Sequence, residues 1–257
     1  MQVYAMLDLN NPDTRQDIIQ GRLDPSKPLV ATALARELEI SVDTVRRDLI
    51  ALEAKGVVRR VRGGAIPIAA HAQPYEVRAQ QPDAATGPLG EYAARMIPRD
   101  ATVFLDAGTT MNAVARHLAG DFCGLIITPA PSVALAALSR GAKVELVGGS
   151  LCPEGAMAVG SDAERAVEAY CADLCFLGAC GLWPEFGLSA EDSGERGVKR
   201  AMALASARVV VVTSAAKMVR AGRHRVLALN EINTLVTDAP IEQLTSFAEA
   251  GVELCCV

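Results

Sequence analysis

Asp106-Ala107-Gly108-Thr109-Thr110 has the residue types of an anion cradle. Gly108 lets the backbone turn sharply and approach a ligand. Thr109 and Thr110 bring hydroxyls to a helix start, where free N–H groups and the helix dipole already attract anions. The spacing matches neither the G-x-x-x-x-G-K-[ST] loop nor the G-x-G-x-x-G dinucleotide turn. A glycine turn with a threonine cap and no ligand is the other reading. Similar loops follow other apolar runs: Thr128-Pro129-Ala130, Gly148-Gly149, and Gly178 with Gly181 close behind. Glu195 and Lys199 stand four apart on an expected helix, either as a solvated surface pair or turned toward the same edge. Lys217 follows a β-rich run and could neutralise a phosphate as a point charge. Asp238 either caps the next helix or meets a sugar hydroxyl.

A second chemistry is concentrated in residues 41–64, SVDTVRRDLIALEAKGVVRRVRGG. Ser41 suits an N-cap, and Val45, Leu49 and Leu52 form one apolar helical face. Arg46 and Arg47 fall off that face, near the end that a helix-turn-helix pushes into the major groove. Gly56 stands where a helix ends in the left-handed conformation. Val57, Val58 and Val61 then mix with Arg59, Arg60 and Arg62, as in a strand with one buried and one cationic side, before the Gly63-Gly64 turn.

The overall charge conceals this module. The formal net charge is −5. Residues 41–65 carry six Lys/Arg against three Asp/Glu, whereas residues 66–257 carry 15 against 21. A basic module sits on an acidic body, and phosphate contact depends on placed cations rather than on the sum. The chain has 257 residues, 51 % hydrophobic but only 4 % aromatic, which favours two domains and Val/Ala/Leu-rich α/β layers. The seven cysteines form no C-x-x-C pair, so reduced thiols are expected and no metal site. No apolar run is long enough for a membrane span, and the N-terminus shows neither a basic nor an apolar targeting region. A cytoplasmic protein without cofactor is the expectation.

These residues require positioning elements. Helices are expected at Arg15–Leu23 and Leu29–Leu38, followed by the helix from Ser41 and a hairpin, so that residues 1–65 form a winged helix-turn-helix. Residues 66–85 read as a linker. From 86 to 257, strands Thr102–Asp106, Leu125–Thr128, Val144–Val147, Leu174–Leu177, Val209–Thr213, Thr234–Thr237 and Val252–Cys256 alternate with helices near 109–119, 131–140, 162–170, 195–206 and 240–249. That alternation predicts a mostly parallel sheet covered on both faces, with a ligand site beyond the carboxyl ends of its strands.

The chain resembles the DeoR-type bacterial transcription regulators over nearly its whole length. The motifs are LVATALARELEISVDTVRRDLIALEAKGVVRRVRGGA (29–65), VFLDAGTT (103–110), VELVGG (144–149), FLGACG (176–181), GLS (187–189), the Glu195/Lys199 pair and LVTD (235–238). The resemblance implies a winged helix-turn-helix that binds a double-stranded operator. It also implies an α/β domain similar to sugar-phosphate isomerases that senses a phosphorylated sugar or related metabolite. By position it assigns Ser41, Thr44, Arg46 and Arg47 to the recognition helix, and Arg59, Arg60 and Arg62 to the wing. Asp106, Gly108, Thr109 and Thr110 fall to the phosphate end of the effector site, and Thr128, Gly149, Gly178, Gly181, Glu195, Lys199 and Lys217 to its rim. Two departures stand out. Thr128-Pro129-Ala130 replaces the family's Thr-Asn-Ser, and Thr213-Ser214-Ala215-Ala216-Lys217 lacks the usual acid before the lysine. The implied function is a non-enzymatic repressor of a carbohydrate operon, acting as a dimer or tetramer. The rival is an isomerase with a DNA-binding head, for which Glu195 and Asp173 are the nominal bases.

Overall fold

The computed structural model describes residues 9–23, 28–68, 74–80, 83–218 and 221–257. Most of the aperiodic start and parts of the expected linker (69–73 and 81–82) lie outside the described residues.

The first helix, α1, spans Pro12–Gly21, with Asn11 as N-cap and Pro12 at its first position. It starts three residues before the expected Arg15. Strand β1 (Leu29–Val30) precedes α2 (Ala31–Glu37), so the helix expected from Leu29 starts two residues later. Leu29 and Val30 pair with Ala65 and Gly64 as a third strand of the wing sheet, which removes them from the helix. Helix α3 (Val42–Ala54) is capped by Ser41, whose Oγ accepts from Thr44 N at 3.0 Å. The α2–α3 turn is tight because Glu39 takes φ 55° and Ile40 N donates to Ala35 O at 3.0 Å, a Schellman closure. Gly56 repeats this device after α3, with φ 71° and Val57 N on Leu52 O at 3.0 Å. The wing is β2 (Val58–Val61) against β3 (Gly64–Pro67). Ile19, Leu34, Leu38, Val45, Leu49, Leu52 and Val58 form one hydrophobic cluster.

Among its described residues, the stretch expected as a linker carries the end of β3 and a short helix. Position 65 cuts through β3, and α4 (Tyr75–Gln80) and α5 (Thr86–Arg95) follow. Then come β4 (Thr102–Leu105), α6 (Thr109–Arg116), β5 (Leu125–Thr128), α7 (Pro131–Ser139) and β6 (Lys143–Leu146). A ribbon of β7 (Ser150–Cys152) and β8 (Met157–Val159) leads to α8 (Ser161–Glu168) and β9 (Ala172–Gly178). Strands β10 (Gly181–Trp183) and β11 (Gly187–Ala190) precede α9 (Ser193–Leu204) and β12 (Ser206–Val212). The chain closes with β13 (His224–Leu227), β14 (Thr234–Thr237), α10 (Thr245–Glu249) and β15 (Glu253–Cys256). The helix expected at 240–249 is a 3-10 turn, Ile241–Gln243, followed by the short α10.

The main sheet has seven strands in the order β15-β14-β12-β9-β4-β5-β6, and every pairing is parallel. All seven expected strands are in it. The order fixes the site. From β4 the chain builds outward to β6, then crosses back to β9 and builds toward β15, so the direction reverses between β4 and β9. Such a switch point opens a crevice at the carboxyl ends of the two strands.

Candidate effector cleft and nucleic-acid interface

Asp106 and Gly178 stand at that switch point, each at the carboxyl end of its strand. Asp106 is fully buried, and its Oδ2 accepts from Gly178 N at 2.9 Å. It also forms an ion pair with Lys199 Nζ, which donates a further bond to Gly178 O at 3.2 Å. Gly108 takes φ 102° as it opens α6, a conformation that side chains rarely adopt. The first N–H groups of that helix have no carbonyl to meet inside it. Around them a small cleft is lined by Arg78, Gly108, Thr109, Thr110, Gly155, Gly178, Cys180, Glu195, Lys199 and Lys217.

Glu195 and Lys199 are not a solvated pair. They are 4 % and 3 % exposed, on the buried face of α9, where Asp192 caps Gly194 N and Glu195 N at 2.9 Å. Burial pushes the Glu195 carboxyl up, against the pull of Lys199, and Asp106 adds to the rise. Burial works against charged Lys199, but Asp106 and Glu195 outweigh it and hold the ammonium above the ordinary lysine value. Burial, then Glu195, pushes the neighbouring Cys180 thiol up to about 11, so it stays protonated. Gly155 lies against Glu195: a Cβ there would sit 2.8 Å from Glu195 Oε1. Asp238 neither caps the next helix nor faces the cleft; its Oδ1 accepts from Ala215 N at 2.7 Å and so holds the turn that carries Lys217.

Three expected rim residues lie elsewhere. Thr128 is fully buried and its Oγ1 accepts from Ala130 N, closing its own turn in place of the absent side chains at 129 and 130. Gly149 packs against Val159 O, and Gly181 is paired inside β10. Conversely, Arg78 was hidden in the expected linker. It extends from α4 over the cleft, and its Nη2 donates to Glu154 O at 2.6 Å. Asp173 stands at the opposite end of β9, and its Oδ2 accepts from Thr102 N at 2.8 Å, so it is no base for chemistry in this cleft. A wider groove of about 490 Å³ adjoins at Thr109, bounded by Tyr75, Asp83, Asn112, Arg116 and His117. Among the described residues no cluster of His, Cys, Asp and Glu could hold a metal ion.

In the head, Ser41, Arg46 and Arg47 are exposed on α3, and Thr44 is half-buried beside them. Arg47 pairs with Asp43 at 2.9 Å, one turn earlier and fully in solvent. Sequence reasoning missed what holds this helix. Asp48 is buried on its inner face and binds Arg15 of α1 through two contacts, 2.8 and 3.1 Å. The wing cations are not equivalent. Arg62 is exposed, Arg60 pairs with Glu53 at 2.7 Å, and Arg59 is turned inward, half-buried over the Phe186 ring. The expectation that Arg59 faces DNA is therefore not met in this arrangement.

A winged helix-turn-helix joined to an α/β domain whose switch-point crevice is lined by Arg78, Lys199 and Lys217 defines a ligand-responsive DNA-binding regulator. Residues 15–70 match the DeoR-like helix-turn-helix domain and residues 87–239 the DeoR C terminal sensor domain. The chain belongs to the DeoR family of transcriptional regulators. It is 32 % identical over 212 residues to the HTH-type transcriptional regulator GlpR of Haloferax volcanii, covering 82 % of this chain and 83 % of that protein. It is 29 % identical over 221 residues to the glycerol-3-phosphate regulon repressor of Haemophilus influenzae, covering 85 % and 86 %. Among solved structures, ribose 5-phosphate isomerase A of Methanocaldococcus jannaschii matches with TM-score 0.39 at 14 % identity, over 52 % of this chain and 53 % of that one. Among the described residues no helix is long and apolar enough to cross a membrane.

Proposed function

We propose that the protein is a repressor of a carbohydrate operon, released from its operator by a phosphorylated sugar or polyol. The observation that carries this reading is the composition of the cleft. A phosphate at the α6 N-terminus would meet Arg78, Lys199 and Lys217 as well as free N–H groups. Behind them the buried Asp106 anchors Lys199 as an ion pair. The sign of regulation and the ligand class are supported by the relative named as a glycerol-3-phosphate regulon repressor. Ser41, Thr44, Arg46 and Arg47 read the duplex, and Arg60 and Arg62 hold phosphates. Operator half-sites call for a dimer or tetramer. The protein acts in the cytoplasm as a regulator and not as an isomerase, a reading supported by relatives named as a transcriptional regulator and a regulon repressor.

The test is a thermal-shift screen of phosphorylated sugars and polyols beside their unphosphorylated parents, followed by release from DNA upstream of the gene. Phosphorylated compounds alone should raise the melting temperature. A shift by unphosphorylated parents of equal size, or none by any phosphorylated compound, would overturn the assignment.

A further inference from the structure

Arg59 lies on the wing strand β2, where a cation is expected to face a duplex. Its guanidinium carbon instead lies 3.7 Å from the centroid of the Phe186 ring, and Nη2 donates to Arg223 O at 3.5 Å. A guanidinium over an aromatic face is a favourable and specific contact. A second cation, Arg225, approaches the same ring at 5.0 Å, so the ring holds two like charges close together. One residue past β3, Ile68 forms a parallel bridge with Ala221. The wing thus touches the sensor body at two places, both on the segments around β11 and β13.

That part of the body is a small plate of its own. Strands β10, β11 and β13 form their own sheet, and Ser189 Oγ donates to Gly181 O at 2.9 Å while accepting from Gly222 N at 2.7 Å. Phe186 sits half-exposed on the turn between β10 and β11, outside the hydrophobic core. At the other end of the plate, Cys180 precedes β10 and α9 follows β11, so the plate lies between the wing and the effector cleft.

We propose that Arg59 is a docking residue, not a DNA contact: stacked on Phe186, it fastens the wing to the sensor body and withholds one cation from the duplex. Released from Phe186, the flexible Arg59 side chain, on the strand face opposite Arg60, becomes available to a phosphate beside the wing. The inference rests on DNA binding by the head and is independent of the effector's identity.

The test is the salt dependence of binding to a 30-bp mixed-sequence duplex, for the full-length wild type, Arg59→Ala, Phe186→Ala and the double variant. Each phosphate contact contributes about 0.9 to the slope of log K against log salt. Arg59→Ala should keep the wild-type slope. Phe186→Ala should steepen it by about 0.9, an extra loss of about 3.5-fold between 50 and 200 mM salt, and the double variant should return to wild type. If Arg59→Ala alone flattens the slope by about 0.9, or if all four slopes coincide, the proposal fails. Hydrogen exchange without DNA gives a second reading. Phe186→Ala should raise exchange in residues 58–67 while the main sheet keeps its protection, and unchanged wing protection would equally overturn the docking.

Discussion

Replacing Lys199 by methionine tests the physical centre of the cleft. The side chains of Lys199 and Asp106 are 3 % and 0 % exposed, so neither is hydrated. Without the ammonium, Asp106 keeps one N–H, from Gly178, and its Oδ1 has no partner even now. Removing one member of a buried pair costs about 3–5 kcal/mol, because the remaining charge is uncompensated. For a chain of this size each kcal/mol moves the melting temperature by about 2–4 °C, so Lys199→Met should lose about 6–20 °C at pH 7. Adding Asp106→Asn removes the stranded charge and should recover most of the loss. Scanning calorimetry of the three proteins at pH 7 measures this. A single variant that melts within a degree of wild type, or a double variant no better than the single, would refute the buried-pair reasoning.

Three further predictions follow from the same geometry. Glu195→Gln should raise the melting temperature at neutral pH, because the folded-state pKa of Glu195 is raised and its charged form is disfavoured in the fold; the gain should vanish below about pH 4, where both states are protonated. Arg15→Ala strands buried Asp48 and should cost about 3–5 kcal/mol locally, read as lost hydrogen-exchange protection in α1 and α3 with the main sheet unaffected. Arg46→Ala with Arg47→Ala should weaken operator binding and flatten its salt slope by up to about 1.8, measured by fluorescence anisotropy; an unchanged slope would remove both from the interface.

The legible parts of this chain were those governed by period and by end signals. The seven apolar runs of the main sheet stand out because a parallel strand buried on both faces is continuous in sequence. Ser41 and Gly56 mark α3 because cap chemistry is local. What stayed hidden was set by distant partners. Leu29 and Val30 have helical neighbours, yet strand pairing with Ala65 and Gly64 draws them into the wing sheet. Helix α5 was obscured by Gly87, Pro88 and Gly90, and Gly90 is there because a Cβ would meet Ala113 of α6 at 2.5 Å. Arg78 lay in an aperiodic stretch, and no local pattern marks an arginine whose partner is Glu154 O, 76 positions away. The Glu195/Lys199 spacing showed which face they share, but not that this face is buried.

If the cleft takes a phosphate as proposed, the paired charges bear on how it would discriminate. Lys199 donates to Asp106 and to Gly178 O, and an ammonium has three donors. A phosphate can therefore take the third without breaking the pair that keeps Asp106 stable. Three cations, Arg78, Lys199 and Lys217, then face two carboxylates, Asp106 and Glu195, so attraction for an anion is only partly offset. Charge alone would admit inorganic phosphate as readily as an ester. On the proposed reading, the desolvated Glu195 in the cleft lining would favour a ligand that brings a hydroxyl hydrogen as well as charge. A site built to bond a hydroxyl rejects an analogue lacking it strongly, because its own buried acceptor then goes unpaired. On the proposed reading, affinity would come from the helix terminus and its cations, while the choice among phosphate esters would fall to Glu195 beside the β4–β9 switch point.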